Sequence, residues 1–287
     1  MPELQLKFMK AGMQTLVQDL GRSGHQQQGV PISGVLDRQS AKAANEIVGN
    51  SVDTPVIEIT VIGPEIHFDQ SCKIAITGAN ISPRLNNEPI ANHRLQNVRA
   101  GSILSFGKMI SGCRAYLAVA GKWNVNKWLG SASASTISPE LLTPDSVITK
   151  GSTISITTND QSIHSTTSIH QTVFTNIVRL RVIPGPEFEW FTKVAIARFF
   201  STGHIISQAA NRMGYQIKTS GMEHQKEMIS SGIIPGTIQI TPDGRAIVLL
   251  ADAQTTGGYP RIANIIDDDL DKMAQMKPGG EVWFSLA

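Results

Sequence analysis

Cysteine is almost missing from this chain of 287 residues. Cys72 and Cys113 stand alone, too few and too far apart for a disulfide framework or a CxxC metal site, and both are expected to be reduced core thiols. Charge of one sign is missing too. The 25 basic and 23 acidic residues are interspersed without a block, so nothing calls for nucleic acid. No apolar run approaches the roughly 18 residues of a membrane span, and the opening MPELQLKFMKAGM carries Glu3 and lacks the apolar core of a signal peptide. No membrane is therefore expected, and the expected location is cytoplasmic. Nucleotide and hydrolase signatures are equally scarce. Gly107-Lys108 and Gly121-Lys122 are followed by Met109 and Trp123 instead of the Ser or Thr of a phosphate-binding loop, and GxSxG, HExxH and GxGxxG do not occur. His164 and His170 have no ligand-like spacing, so no metal is expected. Met9-Lys10 is only a fragment of a biotin-acceptor Met-Lys-Met, so the chain is not expected to carry biotin.

What is present is β-like. Short apolar runs such as Val56 to Gly63, Lys73 to Ala79, Arg114 to Gly121 and Arg245 to Asp252 are separated by Gly, Pro and Asn at hairpin-like distances. With 25 Gly and 14 Pro, the pattern predicts a barrel or sandwich instead of a doubly wound sheet. Three helices are expected: Gln39 to Val48 behind a capping Asp37, Glu187 to Phe200, and Asp269 to Met276. The acidic run Asp267 to Asp269 suits a helix N-terminus. Thr157 to Thr172, rich in Ser, Thr, Gln and His, reads as a linker and divides the chain into domains 1–165 and 166–287. Two short echoes across it, Arg114-Ala115 with Arg245-Ala246 and Ile32-Ser33 with Ile206-Ser207, suggest internal duplication.

The densest chemical signal is ADAQTTGGYPRIANI, Ala251 to Ile265. Gly257 and Gly258 permit positive φ and close ligand approach, while Thr255, Thr256 and nearby amides can donate to a carbonyl, carboxylate or phosphate oxygen. Tyr259 supplies a phenol, and Asp252 a carboxylate for an amide or ammonium. A tight hairpin needing glycine explains the same residues. Between Val17 and Asn50, Arg22 and Arg38 can clamp an anion and His25 can titrate near neutrality, with Asp19, Asp37 and Asn45 nearby; each is equally at home as a surface pair or cap. Arg212, beside Met213 and Gly214, is another anion contact or an ion-pair partner. Glu58, inside an apolar alternation, needs a partner or a shifted pKa.

These segments form an ordered series: VQDLGRSG (Val17 to Gly24), GVPISGVLD (Gly29 to Asp37), NxxVGN (Asn45 to Asn50), ExTxxGP from Glu58, TGA from Thr77, GCRAYLAVAG (Gly112 to Gly121), RVIPGP (Arg181 to Pro186), SxxxxRMGY (Ser207 to Tyr215), IIPGTIQITPDG (Ile233 to Gly244) and DAQTTGGYPRIANII (Asp252 to Ile266). The series resembles the family of the 5-oxoprolinase C subunit, also called biotin-dependent carboxyltransferase or allophanate hydrolase subunit 2. The likeness runs over nearly the whole chain. It implies a mainly β protein of two cyclophilin-like β-barrel domains with a few short helices.

It also implies a component of an ATP-dependent 5-oxoprolinase, opening the lactam of 5-oxoproline to glutamate with a second cyclophilin-like subunit, similar to the 5-oxoprolinase B subunit, and a third, hydrolase subunit. ATP would be bound with or by a partner. Two alternatives come with the resemblance: carboxyl transfer to urea or a related small amide from biotin on a separate carrier, and a non-enzymatic binding protein antagonising a kinase inhibitor. With positions taken from the family motifs and roles from residue chemistry, Asp252, Thr255, Thr256, Tyr259 and Glu58 are expected to be catalytic, and Arg22, His25, Asp37, Arg212, Gln254, Gly257 and Gly258 substrate-binding. The sequence departs from the family at Ala132 and Gln216, where the pattern has Arg, and at Lys122, where it has Gly.

Overall fold

A computed structural model of the chain describes residues 3–158, 174–226 and 228–287. They divide into two compact units, one from Met1–Arg22 and Ser33–Phe174, the other from Ser23–Ile32 and Thr175–Ala287. The expected boundary at 165/166, with most of the expected linker and both of its histidines, lies outside the described residues.

In the first unit, strands alternate apolar and polar residues and so pack as two sheets around one core. A seven-stranded sheet contains Glu3–Lys10, Glu65–Phe68 and Thr153–Thr157; a five-stranded sheet contains Gln14–Gln18, Val56–Thr60, Cys72–Asn80 and Ser111–Val119. Leu4, Leu6, Phe8, Ile66 and Ile156 of the first sheet share that core with Ile57, Ile59, Ile76 and Leu117 of the second. The opposite face of the five-stranded sheet is also apolar, because helix α1 (Arg38–Val48) covers it with Ala41, Ala44, Ile47 and Val48. As expected, Asp37 caps α1, its Oδ1 accepting from the Ser40 N–H at 2.8 Å. A short helix α2 (Pro139–Leu142) follows. Cys113 is buried and in no disulfide, and burial with Asp69 nearby pushes the Cys72 thiol, also outside any disulfide, up to about 12, far from a working nucleophile.

In the second unit the barrel closes. Its strands run Ile177–Pro184, Arg261–Ile265, Thr237–Ile240, Ala246–Leu249, Gly214–Lys218, His204–Ala210 and Glu281–Leu286, and the last pairs in parallel with the first. Leu180, Ile217, Ile238, Ile240, Val248 and Val282 fill it, all at zero exposure.

Two helix expectations need correction. The helix expected from Glu187 to Phe200 is a single 3-10 turn, Phe188–Trp190, and then α3 (Lys193–Ser201). The break arises because Glu187 is held by Arg261, while the Thr192 hydroxyl caps α3 by accepting from the Ala195 N–H at 3.1 Å. Helix α4 begins two residues early, Asp267–Ala274, with the acidic run in its first turn. Its Asp269 is buried and accepts from the Arg181 guanidinium at 3.0 and 3.1 Å and from Lys272 at 2.6 Å. Burial alone would raise its pKa, but these hydrogen bonds dominate and hold the carboxyl well below the usual range. The Ile-Ser echo is not structural: Ser33 lies in a loop and Ser207 in a strand.

Candidate functional site

The motif residues of the first unit converge on the helix-covered face of the five-stranded sheet. Register sets Tyr116 opposite Glu58 on one side and Thr77 on the other. The Tyr116 hydroxyl donates to Glu58 Oε2 at 3.0 Å and accepts from the Asp37 N–H at 2.8 Å. The Leu36 N–H donates to the same carboxylate oxygen at 3.0 Å, and Arg114 Nε stands 3.7 Å from its Oε1. Burial, then the Glu58 and Asp37 carboxylates, push the Tyr116 phenol well above its ordinary pKa. Glu58 therefore has the partner its sequence context requires, and its role here is to fasten Leu36 and Asp37, the end of the GVPISGVLD motif, to the sheet.

Asp19, in the neighbouring motif, organises a second loop. It accepts from the Ser131 and Ser133 hydroxyls at 2.5 and 2.6 Å, the Ala132 N–H at 2.7 Å and the Gly21 N–H at 2.9 Å. The Ala132 side chain packs in the core. Arg22 is buried, donates to the Ser133 carbonyl and lies 5.1 Å from the centre of the Trp128 ring. A cleft of about 730 Å³ at the end of α1 is lined by Asn50, Asp53 and Lys127, by Ala120 and Gly121 at the end of the GCRAYLAVAG motif, and by Lys122, where the family pattern has Gly; it includes none of the expected catalytic or substrate-binding residues.

The second unit gathers more of them. Arg212 and Asp252 form a buried fork, Nε to Oδ2 at 2.8 Å and Nη2 to Oδ1 at 3.0 Å, and the Asp252 N–H donates to the Arg212 carbonyl. The expected anion clamp and the expected base are thus each other's partners. Beside Arg212 and Asp252 in the chain, Asn211 and Gln254 line a pocket of about 230 Å³, together with Gln216, Gln239, Ile247 and Tyr259. No charged side chain is among the described residues that line it.

The pocket floor follows from register. Gln216 faces Ile247, and Ile247 faces Gln239, across three adjacent barrel strands. Tyr215, Ile217, Ile238 and Ile240 alternate with the glutamines and point into the barrel, so the glutamines line the outer face. Gly257 and Gly258 differ from expectation: neither has a positive φ. A Cβ on Gly257 would lie 2.4 Å from Gln239 Nε2, so this glycine makes room for a glutamine. Gly258 has no such crowding, since a Cβ added there would come no nearer than 3.5 Å to its closest neighbour, Ser230 Oγ. Thr256–Gly257 pairs with Ser231–Gly232, and Thr255 accepts from the Ile233 N–H through its carbonyl. His25 stands at the start of a 3-10 turn, Gln26–Gln28, with Nδ1 3.2 Å from Gln28 Oε1. Gln239 and Asn211 were not singled out by motif chemistry, and Gln216 was noted only as standing where the family pattern has Arg; the signal for Gln239 was a polar residue alternating with isoleucines in TIQI.

Residues 28–286 match the family model described as carboxyltransferase domain, subdomain A and B. The chain belongs to this carboxyltransferase family. It is 34% identical over 97% of its length to the 5-oxoprolinase C subunit of Escherichia coli (strain K12), covering 90% of that relative. It is 32% identical over 95% of its length to urea amidolyase of Saccharomyces cerevisiae (strain ATCC 204508 / S288c), covering 16% of that much longer protein. Among solved structures, TTHA0988 matches over 98% of this chain with a TM-score of 0.88 and 29% identity, and this chain spans about half of it, 55%. As a carboxyltransferase-family member the chain has the mainly β architecture its motifs imply. Among the described residues no helix is long and apolar enough to cross a membrane.

Proposed function

We propose that this carboxyltransferase-family chain is a cytoplasmic component of an ATP-dependent 5-oxoprolinase, active with a second cyclophilin-like subunit and a third, hydrolase subunit. The observation that carries the reading is the small uncharged pocket built around the DAQTTGGY segment, in a chain alike over most of its length to a 5-oxoprolinase component. At about 230 Å³ it is smaller than the roughly 300–1,000 Å³ of drug-sized sites, which suits a five-membered lactam. In the reaction the lactam oxygen would take the terminal phosphoryl group of ATP, the co-substrate, releasing ADP. Water then adds at the ring carbon, phosphate is expelled from that carbon, and the C–N bond breaks with the nitrogen leaving protonated, giving glutamate. Such a step needs hydrogen-bond donors where charge develops on oxygen. Tyr259 and the carboxamides offer them, while the carboxylate of 5-oxoproline points away from a lining that has no cation to meet it. Asp252 acts here through Arg212, holding Asn211 and Gln254 in place, and Glu58 acts as an anchor.

Urea is neutral, and that favours a second reading on the same pocket: carboxyl transfer to urea or a similar amide from biotin on a separate carrier. The test is direct. The chain co-expressed with its partner subunits is expected to release glutamate from 5-oxoproline only with ATP, and to leave urea uncarboxylated when given a carboxybiotin carrier. Carboxylated urea without glutamate release would replace the first reading by the second. Tight partner binding with neither product would point instead to the antagonist of a kinase inhibitor.

A further inference from the structure

We infer that Gln239 is the residue that reads the substrate's amide N–H, making the second-unit pocket selective for an unsubstituted amide edge. The inference deepens the small-amide reading and rests on it.

Gln239 is 2% exposed, yet it lines the pocket. Its Nε2 donates to the Tyr259 carbonyl at 3.2 Å. That carbonyl can only accept, so it fixes which end of the carboxamide is nitrogen. Gly257 closes over the same Nε2, where any side chain would collide. The amide is therefore held by its nitrogen, and Oε1 has no hydrogen-bond partner among the described residues. Oε1 is not among the fully buried orphaned atoms, so it opens to the pocket as an acceptor that a ligand N–H can satisfy in place of water, and a ligand without N–H that covers it leaves it unpaired.

The opposite wall offers the complement. Gln216 Oε1 accepts from the Ser207 hydroxyl at 3.4 Å, which leaves Nε2 as a donor. Asn211 Oδ1 accepts the N–H groups of Met213 and Gly214 at 2.8 and 3.2 Å, leaving its Nδ2. Between them lies Ile247. Two strand spacings of about 4.8 Å separate the two glutamine positions, a span that a small planar ring on an apolar floor can bridge. One wall accepts and the other donates: of a lactam's two polar groups, the N–H suits Gln239 Oε1 and the C=O suits the carboxamide N–H groups of Gln216 and Asn211. A carboxylate has no N–H for Gln239, and a tertiary amide or an ester has none either.

Three probes separate these chemistries: pyrrolidone, its N-methyl derivative, and butyrolactone, which has the same ring with oxygen in place of N–H. Their binding to the full chain, alone and with co-expressed partners, is read by ligand-detected NMR titration. Pyrrolidone is expected to bind about tenfold or more tighter than either analogue, since each leaves Oε1 unsatisfied. Gln239→Leu should abolish that ratio. Gly257→Ala, which displaces the Gln239 carboxamide without altering it, should reduce the ratio as well, and an unchanged melting temperature certifies either variant as folded. Equal binding of pyrrolidone and butyrolactone, a ratio that survives in folded Gln239→Leu, or no saturable lactam binding by chain or assembly would overturn the inference. Should the ratio hold while the wild-type assembly fails to open 5-oxoproline, the amide subsite stands and only the oxoprolinase reading falls.

Discussion

Replacing Asp252 by alanine is expected to destabilise the chain by about 3–5 kcal/mol, because it takes the carboxylate of a bidentate fork away from the buried Arg212 guanidinium. The fork to Arg212 joins the turn at Asn211 to the end of the strand Ala246–Leu249, where the Leu250 N–H also reaches the Met213 carbonyl at 3.0 Å. Those two segments bring Asn211 and Gln254 to the pocket. Removing both charges together, as Arg212→Met with Asp252→Leu, should restore most of the lost stability, since two matched apolar groups need no counter-charge. Chemical denaturation of the two single variants and the double variant measures the coupling. If Asp252→Ala proves as stable as wild type, the fork is not structural and Asp252 is available for chemistry. The practical consequence is that lost turnover in Asp252→Ala implicates Asp252 in catalysis only if stability is unchanged.

Glu58→Ala should have a comparable effect, about 3–5 kcal/mol, through a different mechanism. It deprives Tyr116 and the Leu36 N–H of a common acceptor, and Arg114 of a counter-charge, on a face buried under α1. Tyr116→Phe removes one neutral donor and leaves the Asp37 N–H without its acceptor, so a loss of about 1–3 kcal/mol is expected. The phenol adds a pH signature. Its folded pKa is raised, so its contribution is fully present below the unfolded value of about 10 and is lost as pH rises from there towards the folded pKa. Stability of wild type should therefore fall more steeply above pH 10 than that of Tyr116→Phe. Parallel alkaline slopes in the two proteins would show that Tyr116 is not buried beside Glu58.

Much of this was legible in the residues. Alternating runs with Gly and Pro punctuation foretold the β architecture, and Asp37 announced the start of α1 one residue ahead. Glu58 in an apolar strand required a partner, and Tyr116 is two residues from Arg114 on a strand paired to it. What could not be read were pairings set by tertiary register. Nothing in the chain order says that Arg212 answers Asp252, or that Glu187 turns to Arg261 and so interrupts a helix whose apolar stripe looked continuous. The glycines of TTGGY were legible as special but not for the right reason. Gly257 is small because a glutamine from another strand lies beneath it, and that glutamine is an ordinary polar residue until the barrel sets it beside Ile247 and Gln216.

Small-amide chemistry at the pocket whose floor is Ile247 is the central claim, and filling that floor tests it most directly. Ile247 is partly exposed on the outer barrel face, so Ile247→Trp should fold and assemble while its indole occupies much of the 230 Å³. ATP-dependent glutamate release from 5-oxoproline is then measured for both assemblies. Wild type is predicted to turn over, and Ile247→Trp to lose at least about tenfold in kcat/KM, equivalent to about 1.4 kcal/mol of transition-state binding. Turnover by Ile247→Trp equal to wild type would contradict the placement, and its absence in a well-folded wild-type assembly would contradict the function.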